Sequence, residues 1–272
     1  MNLFVTILNC NRLIKQINNF LKLATMIKLI LQITKAILLA ILALFATSCR
    51  YSIDVGGGKL TGNGHVVKEV RTINESFTGV EVSQGIEVIV EQGNPVFVEV
   101  ETDENIQSHL KAEVKDGVLD IYSDENFRKT TIRKVFVRMP NVSSFDTSSG
   151  ANLRTQNKIS TENLSISTSS GSHVRAAIQA KNVSCDSSSG SHIELEGKGV
   201  SASLDSSSGS NISAQNLQVE TATADASSGS SIDINVTENL TAEASSGASV
   251  NYVVEPKSKN VHASSGGSVR VK

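Results

Sequence analysis

Residues 185–195 read CDSSSGSHIEL, and the same pattern returns along the chain. Ser-Ser-Gly is followed by a small residue, a polar residue and an aliphatic one. The stretches are SSGANL, SSGSHV, SSGSHI, SSGSNI, SSGSSI, SSGASV and SSGGSV, with glycines at Gly150, Gly171, Gly190, Gly209, Gly229, Gly247 and Gly266. Their spacings of 21, 19, 19, 20, 18 and 19 residues define a period near 19, the mark of a solenoid. Aligned on each glycine, the position five before holds Phe145, Ile166, Cys185, Leu204, Ala224, Ala242 and Val261. Three after stand Leu153, Val174, Ile193, Ile212, Ile232, Val250 and Val269. Odd offsets are apolar or small and even offsets mainly polar, which is strand alternation and not a helical period.

Each repeat therefore predicts two short strands meeting at a Ser-Ser-Gly corner. Glycine supplies the backbone freedom of a tight bend and is expected to let corners stack closely. Stacked coils about 4.8 Å apart would place equivalent residues one above another and join the apolar columns into a continuous core. The fold class is all-β, a parallel β-solenoid of roughly 19-residue coils. Ahead of it, VEVSQGIEV fits the same columns with Gly85 at the glycine place, so the solenoid begins there, before an inserted strand-rich region. In that region VKDGVLDIYS carries an Asp116-Gly117 hairpin signal, KVFVRMP is a strand, and DENIQSHLK is the one helical turn.

The N-terminal 48 residues hold five basic and no acidic side chains, leaving 20 basic against 27 acidic residues, about −7, for the rest. That balance repels phosphates and speaks against nucleic-acid partners. Aromatics are only 4% and tryptophan is absent, which disfavours stacking on sugars or bases. From Met26, a short basic segment with Lys28 and Lys35 precedes an apolar run from Ala36 to Phe45, small residues and Cys49. This layout is that of a secretory signal. Ala46-Thr47-Ser48-Cys49 resembles a bacterial lipobox, with Ala46 where leucine is usual. The resemblance implies cleavage before Cys49, lipid modification of that residue and anchoring in the cell envelope, at the outer membrane. The alternatives are an ordinary cleaved signal without lipid and a transmembrane anchor, which needs about 20 apolar residues, twice the run present. Met26 is the expected start. The domains are then 1–48, extension and signal; 49–76, lipidated cysteine and a glycine-rich tether; and 77–272, the solenoid. Cys185 remains alone in the mature chain, without a disulfide partner.

Several columns invite chemical readings. Cys185 shares its column with large apolar residues and reads as a buried small hydrophobe. His173 and His192 lie one coil apart on the outer face, but two ligands make a poor metal site, and Asn152, Asn211 and Ser231 fill the same column. Four before each glycine, Asp186, Asp205, Asp225 and Glu243 would stack in consecutive coils, a candidate Ca²⁺ ladder set against splayed carboxylates hydrogen-bonded to corner serines. Arg128, Lys129, Arg133 and Lys134 form the one basic cluster, read as a solvated loop. No repeated histidine stands ready to activate the serines, so no catalytic residues and no cofactor are assigned.

FTGVEVSQGIEVIVEQG, DGVLDIY, VFVRMPNVSSFDTSSGANL and the serial Ser-Ser-Gly units together resemble the head GIN domain family, adhesin-type proteins found mostly in Bacteroidetes. The Gly-Ile-Asn signature is not intact; Gly209-Ser210-Asn211-Ile212 and Gly150-Ala151-Asn152-Leu153 come nearest. The resemblance implies a parallel β-solenoid on a secreted or lipid-anchored protein that binds a glycan or protein ligand. A structural envelope lipoprotein without a ligand is the alternative, and a polysaccharide-acting β-helix enzyme a more distant one.

Overall fold

The computed structural model describes residues 60–272, together with residues 28, 31–35, 37 and 39, which are helical. Met26 and Cys49 lie outside the described residues. Among those described, no helix is long and apolar enough to cross a membrane.

The repeats form a parallel β-solenoid in the expected register. Cys185 pairs with Ile166 on one side and Leu204 on the other. Strands His173–Ser187, His192–Ser206, Asn211–Ala226 and Ser231–Ala244 each carry one coil from corner to corner. In His173–Ser187 the in–out alternation breaks once, where Lys181 and Asn182 are both exposed, and in Asn211–Ala226 twice, at Gln215-Asn216 and Glu220-Thr221. The break at Lys181-Asn182 splits its strand into two faces. The columns of Phe145, Ile166, Cys185, Leu204, Ala224 and Ala242, and of Leu153, Val174, Ile193, Ile212, Ile232 and Val250, are all buried. In the last coil no further coil covers the column, and Val261 is 42% exposed.

At every corner two successive residues adopt left-handed backbone. Ser189 has φ 54° and Gly190 φ 71°, and the same pair recurs from Gln84-Gly85 to Ser265-Gly266. Two positive φ values in sequence make a type I′ turn, the turn that matches strand twist. It is closed by a hydrogen bond from the Ser191 amide to the Ser188 carbonyl, 3.2 Å. Successive corners are then tied together: the amide of Gly171 donates to the carbonyl of Ser189 in the next coil, 3.1 Å, and that of Gly190 to Ser208, 3.2 Å. A Cβ built on Gly171, Gly190 or Gly209 would meet nothing within 4 Å. Glycine is thus required there by its φ and not, as expected from the sequence, by close stacking.

The small residue after each glycine points inward. The Ser191 hydroxyl is buried within donating distance of the carbonyls of Ser188 (2.7 Å) and Thr168 (3.0 Å), one of which takes its single proton, and the Thr168 and Ser187 hydroxyls are each 2.9 Å away. Ser172, Ser210 and Ser230 bond across the coils in the same way. Inside the corner, then, runs a satisfied hydroxyl ladder, which avoids the cost of a buried unpaired hydroxyl.

The first coil consists of Gly79–Val82 and Glu87–Gln92, paired with Ser144–Thr147 and Asn152–Thr155. On its far side the sheet continues in a different manner. Val118–Ser123 runs parallel to Gly79–Val82, and Leu110–Lys115 turns back antiparallel through the expected Asp116-Gly117 hairpin. Arg133–Met139 runs parallel to Glu87–Gln92, followed by antiparallel Phe97–Asp103 and Val66–Arg71. The helical turn is a 3₁₀ segment, Glu104–His109. These strands cap one end of the core. They also correct the expected tether: Leu60–Thr61 and Val66–Arg71 are strands, ahead of Phe77. Their anchor is Asp103, fully buried, whose carboxylate accepts from the amides of Gly64 (2.8 Å) and Thr131 (2.7 Å) and from the Thr131 hydroxyl (2.8 Å). Burial alone would raise its pKa; these hydrogen bonds outweigh it and hold the carboxyl below the ordinary aspartate value.

Candidate binding faces of the solenoid

The acids four before each glycine do stack. Asp186 faces Asp205, Asp205 faces Asp225, and Asp225 faces Glu243, each on a neighbouring strand. The ladder is longer than the columns suggested. Beyond the interruption at Ser167 it continues through Asp146 and Glu81 to Asp120. Glu81 stands four before Gly85 and was legible by the same count; Asp120 joins only because Val118–Ser123 stacks on the first coil. Burial, then the neighbouring Asp205, pushes the Asp186 carboxyl above its ordinary value. Burial, then Glu243 and Asp205, does the same at Asp225, and burial with Asp120 and Asp146 at Glu81. Among the described residues no cation pairs with the acids from Asp186 to Glu243, and the expected bonds to corner serines are not formed. Chemically the stripe offers carboxylate oxygens only, ligands suited to a hard cation.

On the same outward face, next to the acidic row, lies a shallow groove of about 570 Å³. It runs across coils between two outward rows, Asn163, Asn182 and Ser201 on one side and Ser184, Ser203 and Thr223 on the other. The first row is internally bonded: Asn182 Nδ2 donates to Asn163 Oδ1 and the Ser201 hydroxyl to Asn182 Oδ1, both 2.8 Å. The column beneath thins from Val183 to Ala202 and Ala222, which makes the depression. No charged side chain lines it. Sequence reasoning passed over this face because its residues are individually unremarkable; the signal was the recurrence of Asn, Ser and Thr six and eight positions before each glycine from Gly171 onward.

The other candidates separate. Cys185 is fully enclosed, and burial, with a smaller contribution from Asp186, drives its thiol pKa up, so it is no nucleophile. The basic cluster is not a loop: Arg128 and Lys129 stand exposed on a strand, and Arg133 and Lys134 are engaged. Phe127–Lys129 pairs with Leu60–Thr61, and the Arg133 guanidinium donates to the carbonyl of Gln84 at the first corner, 2.7 Å. Lys134 lies 3.7 Å from Glu87. Arg133 and Lys134 thus brace the cap against the first coil. His173 and His192 are outward neighbours as expected, with ring centroids 4.7 Å apart and nearly perpendicular planes. Glu194, two residues on from His192 and on the same strand face, completes a group that sequence reasoning left at two members.

Residues 76–256 match the model of the family described as "Putative auto-transporter adhesin, head GIN domain". A solved "putative adhesin" from Bacteroides fragilis superposes with a TM-score of 0.73 at 19% identity, covering 78% of this chain and 100% of its own. A "putative lipid binding protein" from Parabacteroides distasonis gives 0.64 at 19%, covering 78% and 99%. A "putative adhesin" from Parabacteroides merdae gives 0.61 at 18%, covering 78% and 98%. At this identity the likeness is one of fold. No curated protein matches the chain by sequence.

Proposed function

Because the chain belongs to the auto-transporter adhesin head GIN family, we propose that it is a non-catalytic adhesin of the cell envelope. It is held at the outer membrane by lipid on Cys49 and binds a neutral glycan along the groove between Asn182 and Ser203. The carrying observation is the groove itself: about 570 Å³, uncharged, and lined by amides and hydroxyls repeating at the coil spacing. Sugar rings present alternating hydroxyls and C–H faces. The groove offers hydroxyl and amide partners beside the methyl groups of Ala202, Ala222 and Thr223. Repetition along the stack suits a polymer whose units engage several coils at once, so weak single contacts sum. The acidic ladder, the next outward row on the same face, disfavours anionic polymers.

The test is a glycan array and a protein pull-down with the purified chain and with Ser201→Tyr, which fills the groove while leaving the core untouched. Retention of neutral glycans by the chain and their loss in Ser201→Tyr is the expected result. Glycan binding equal in both places the ligand elsewhere. Capture of protein alone replaces the ligand class, and the absence of any ligand favours a structural envelope lipoprotein. Mass spectrometry of membrane-extracted protein should find acylated Cys49 at the N-terminus; a mature chain retaining Lys28 sinks the anchoring part.

A further inference from the structure

His173, His192 and Glu194 project from the outer face of two adjacent coils. His173 and His192 are exact register partners on neighbouring parallel strands, and Glu194 follows His192 by two residues on the same face. Their ligating atoms all lie within 4.8 Å of one another. We propose that these three side chains bind a borderline transition-metal ion, Zn²⁺ or a close relative.

Three arguments support the assignment. The first is geometric. Tetrahedral coordination at 2.0–2.2 Å separates ligand atoms by about 3.4 Å, and small side-chain rotations close the remaining distance. All three residues stand on sheet strands, so the backbone triangle beneath them is fixed.

The second is an unmet demand. Nε2 of His173 is shielded from solvent and has no hydrogen-bond partner. One coil beyond His192, in register, Oδ1 of Asn211 is in the same condition. Buried polar atoms without partners are rare and costly. The first of the two belongs to the proposed ligand set, and a metal ion would meet its demand.

The third is donor chemistry. Two imidazole nitrogens and one carboxylate oxygen suit Zn²⁺, Co²⁺ or Ni²⁺, not Ca²⁺ or Mg²⁺. The three residues are half-exposed, which leaves the fourth position open to water or to a donor from a bound partner. One competitor is visible: Arg175 Nε sits 3.7 Å from Glu194 Oε2 and must give way.

The test is titration of the full chain, purified without a histidine tag, with Co²⁺ alone, followed by visible absorption and displacement with Zn²⁺. One equivalent of cobalt with tetrahedral d–d bands is expected. His173→Asn and His192→Asn should each weaken binding by more than about tenfold, and Arg175→Ala should tighten it by freeing Glu194. Asparagine already occupies this column at Asn152 and Asn211, so both histidine variants should fold, as circular dichroism would verify. Absence of cobalt uptake by the unmodified chain overturns the proposal. So does unchanged uptake in both histidine variants, or weaker uptake in Arg175→Ala.

Discussion

At the scale of single residues, one consequence of the fold is that equivalent positions do not carry equivalent demands. Glycine 190 and its counterparts answer to backbone angle alone, whereas Gly197 answers to space as well. It has φ +126°, and a Cβ there would lie 1.9 Å from the carbonyl oxygen of Ile178 in the coil below. Gly209→Ala should therefore cost about 1–2 kcal/mol, the strain of a left-handed alanine. Gly197→Ala should cost roughly 3 kcal/mol or more, since strain and a backbone clash add. Denaturant melts of the two variants decide this; equal losses would contradict the crowding at Gly197. Cys185 gives a second case. Serine is welcome three positions before a glycine, where Ser187 joins the hydroxyl ladder. Five before, between Ile166 and Leu204, a hydroxyl has apolar column neighbours, and Cys185→Ser should lose roughly 1–3 kcal/mol. The native thiol should resist bulky thiol reagents; rapid labelling of the folded chain would refute its enclosure.

At the scale of elements, the acidic ladder sets a pH dependence of definite sign. The Asp225 carboxyl is raised in the folded chain by burial and by Glu243 and Asp205. The folded state thus binds a proton more readily than the unfolded one. The resulting destabilisation is fully present above the raised value and disappears as pH falls through it toward the ordinary 3.8. Asp225→Asn should stabilise the domain by about 0.2–1 kcal/mol at neutral pH, the usual scale of like charges directly opposed across strands. The gain should shrink as pH falls through the raised value and be absent below 3.8. Thermal melts across that range test it, and a gain independent of pH would mean that charge repulsion is not its source. The cap shows the opposite sign: Asp103, held below its ordinary value, contributes stability above 3.8 that is lost as pH falls through its lowered pKa. The two carboxylates differ only in what surrounds them, neighbouring acids in one case and amide and hydroxyl donors in the other.

At the scale of the whole molecule, the solenoid was legible and its cap was not, for one physical reason. Parallel coils in register put residue i above residue i+19, so the columns Ile166, Cys185, Leu204 are already a contact map. The cap pairs Val66–Arg71 with Phe97–Asp103 in antiparallel fashion, with no repeat to announce it, and Asp103's hold on Gly64 and Thr131 leaves no periodic trace. The glycine-rich stretch before Phe77 accordingly read as tether where part of it is strand. The functional faces divide in the same way. The acidic ladder and the histidine pair follow from columns. Glu194 needed the further step of reading two residues along one strand face, and the groove needed the thinning of a buried column to Ala202 and Ala222, which shows only once the coils are stacked. The cap and the last coil also differ in kind. One end of the core is closed by crossed antiparallel strands, while the other ends in a coil with Val261 and Val271 partly bare.

That difference has a mechanical meaning. The hydrogen bonds between coils point along the stack, so tension along this axis loads each ladder as a peeling seam, rung after rung. The coil with a neighbour on one side only should detach first and the cap last. Each detachment would release about 19 residues of chain, roughly 65 Å of contour at full extension. Pulled between its two ends in a single-molecule instrument, the protein should lengthen in a staircase of near-equal steps of that size. Rupture in one event would show that the coils share load cooperatively. A staircase would make the stack an extensible fuse, able to pay out length under shear while coils nearer the cap keep their grip.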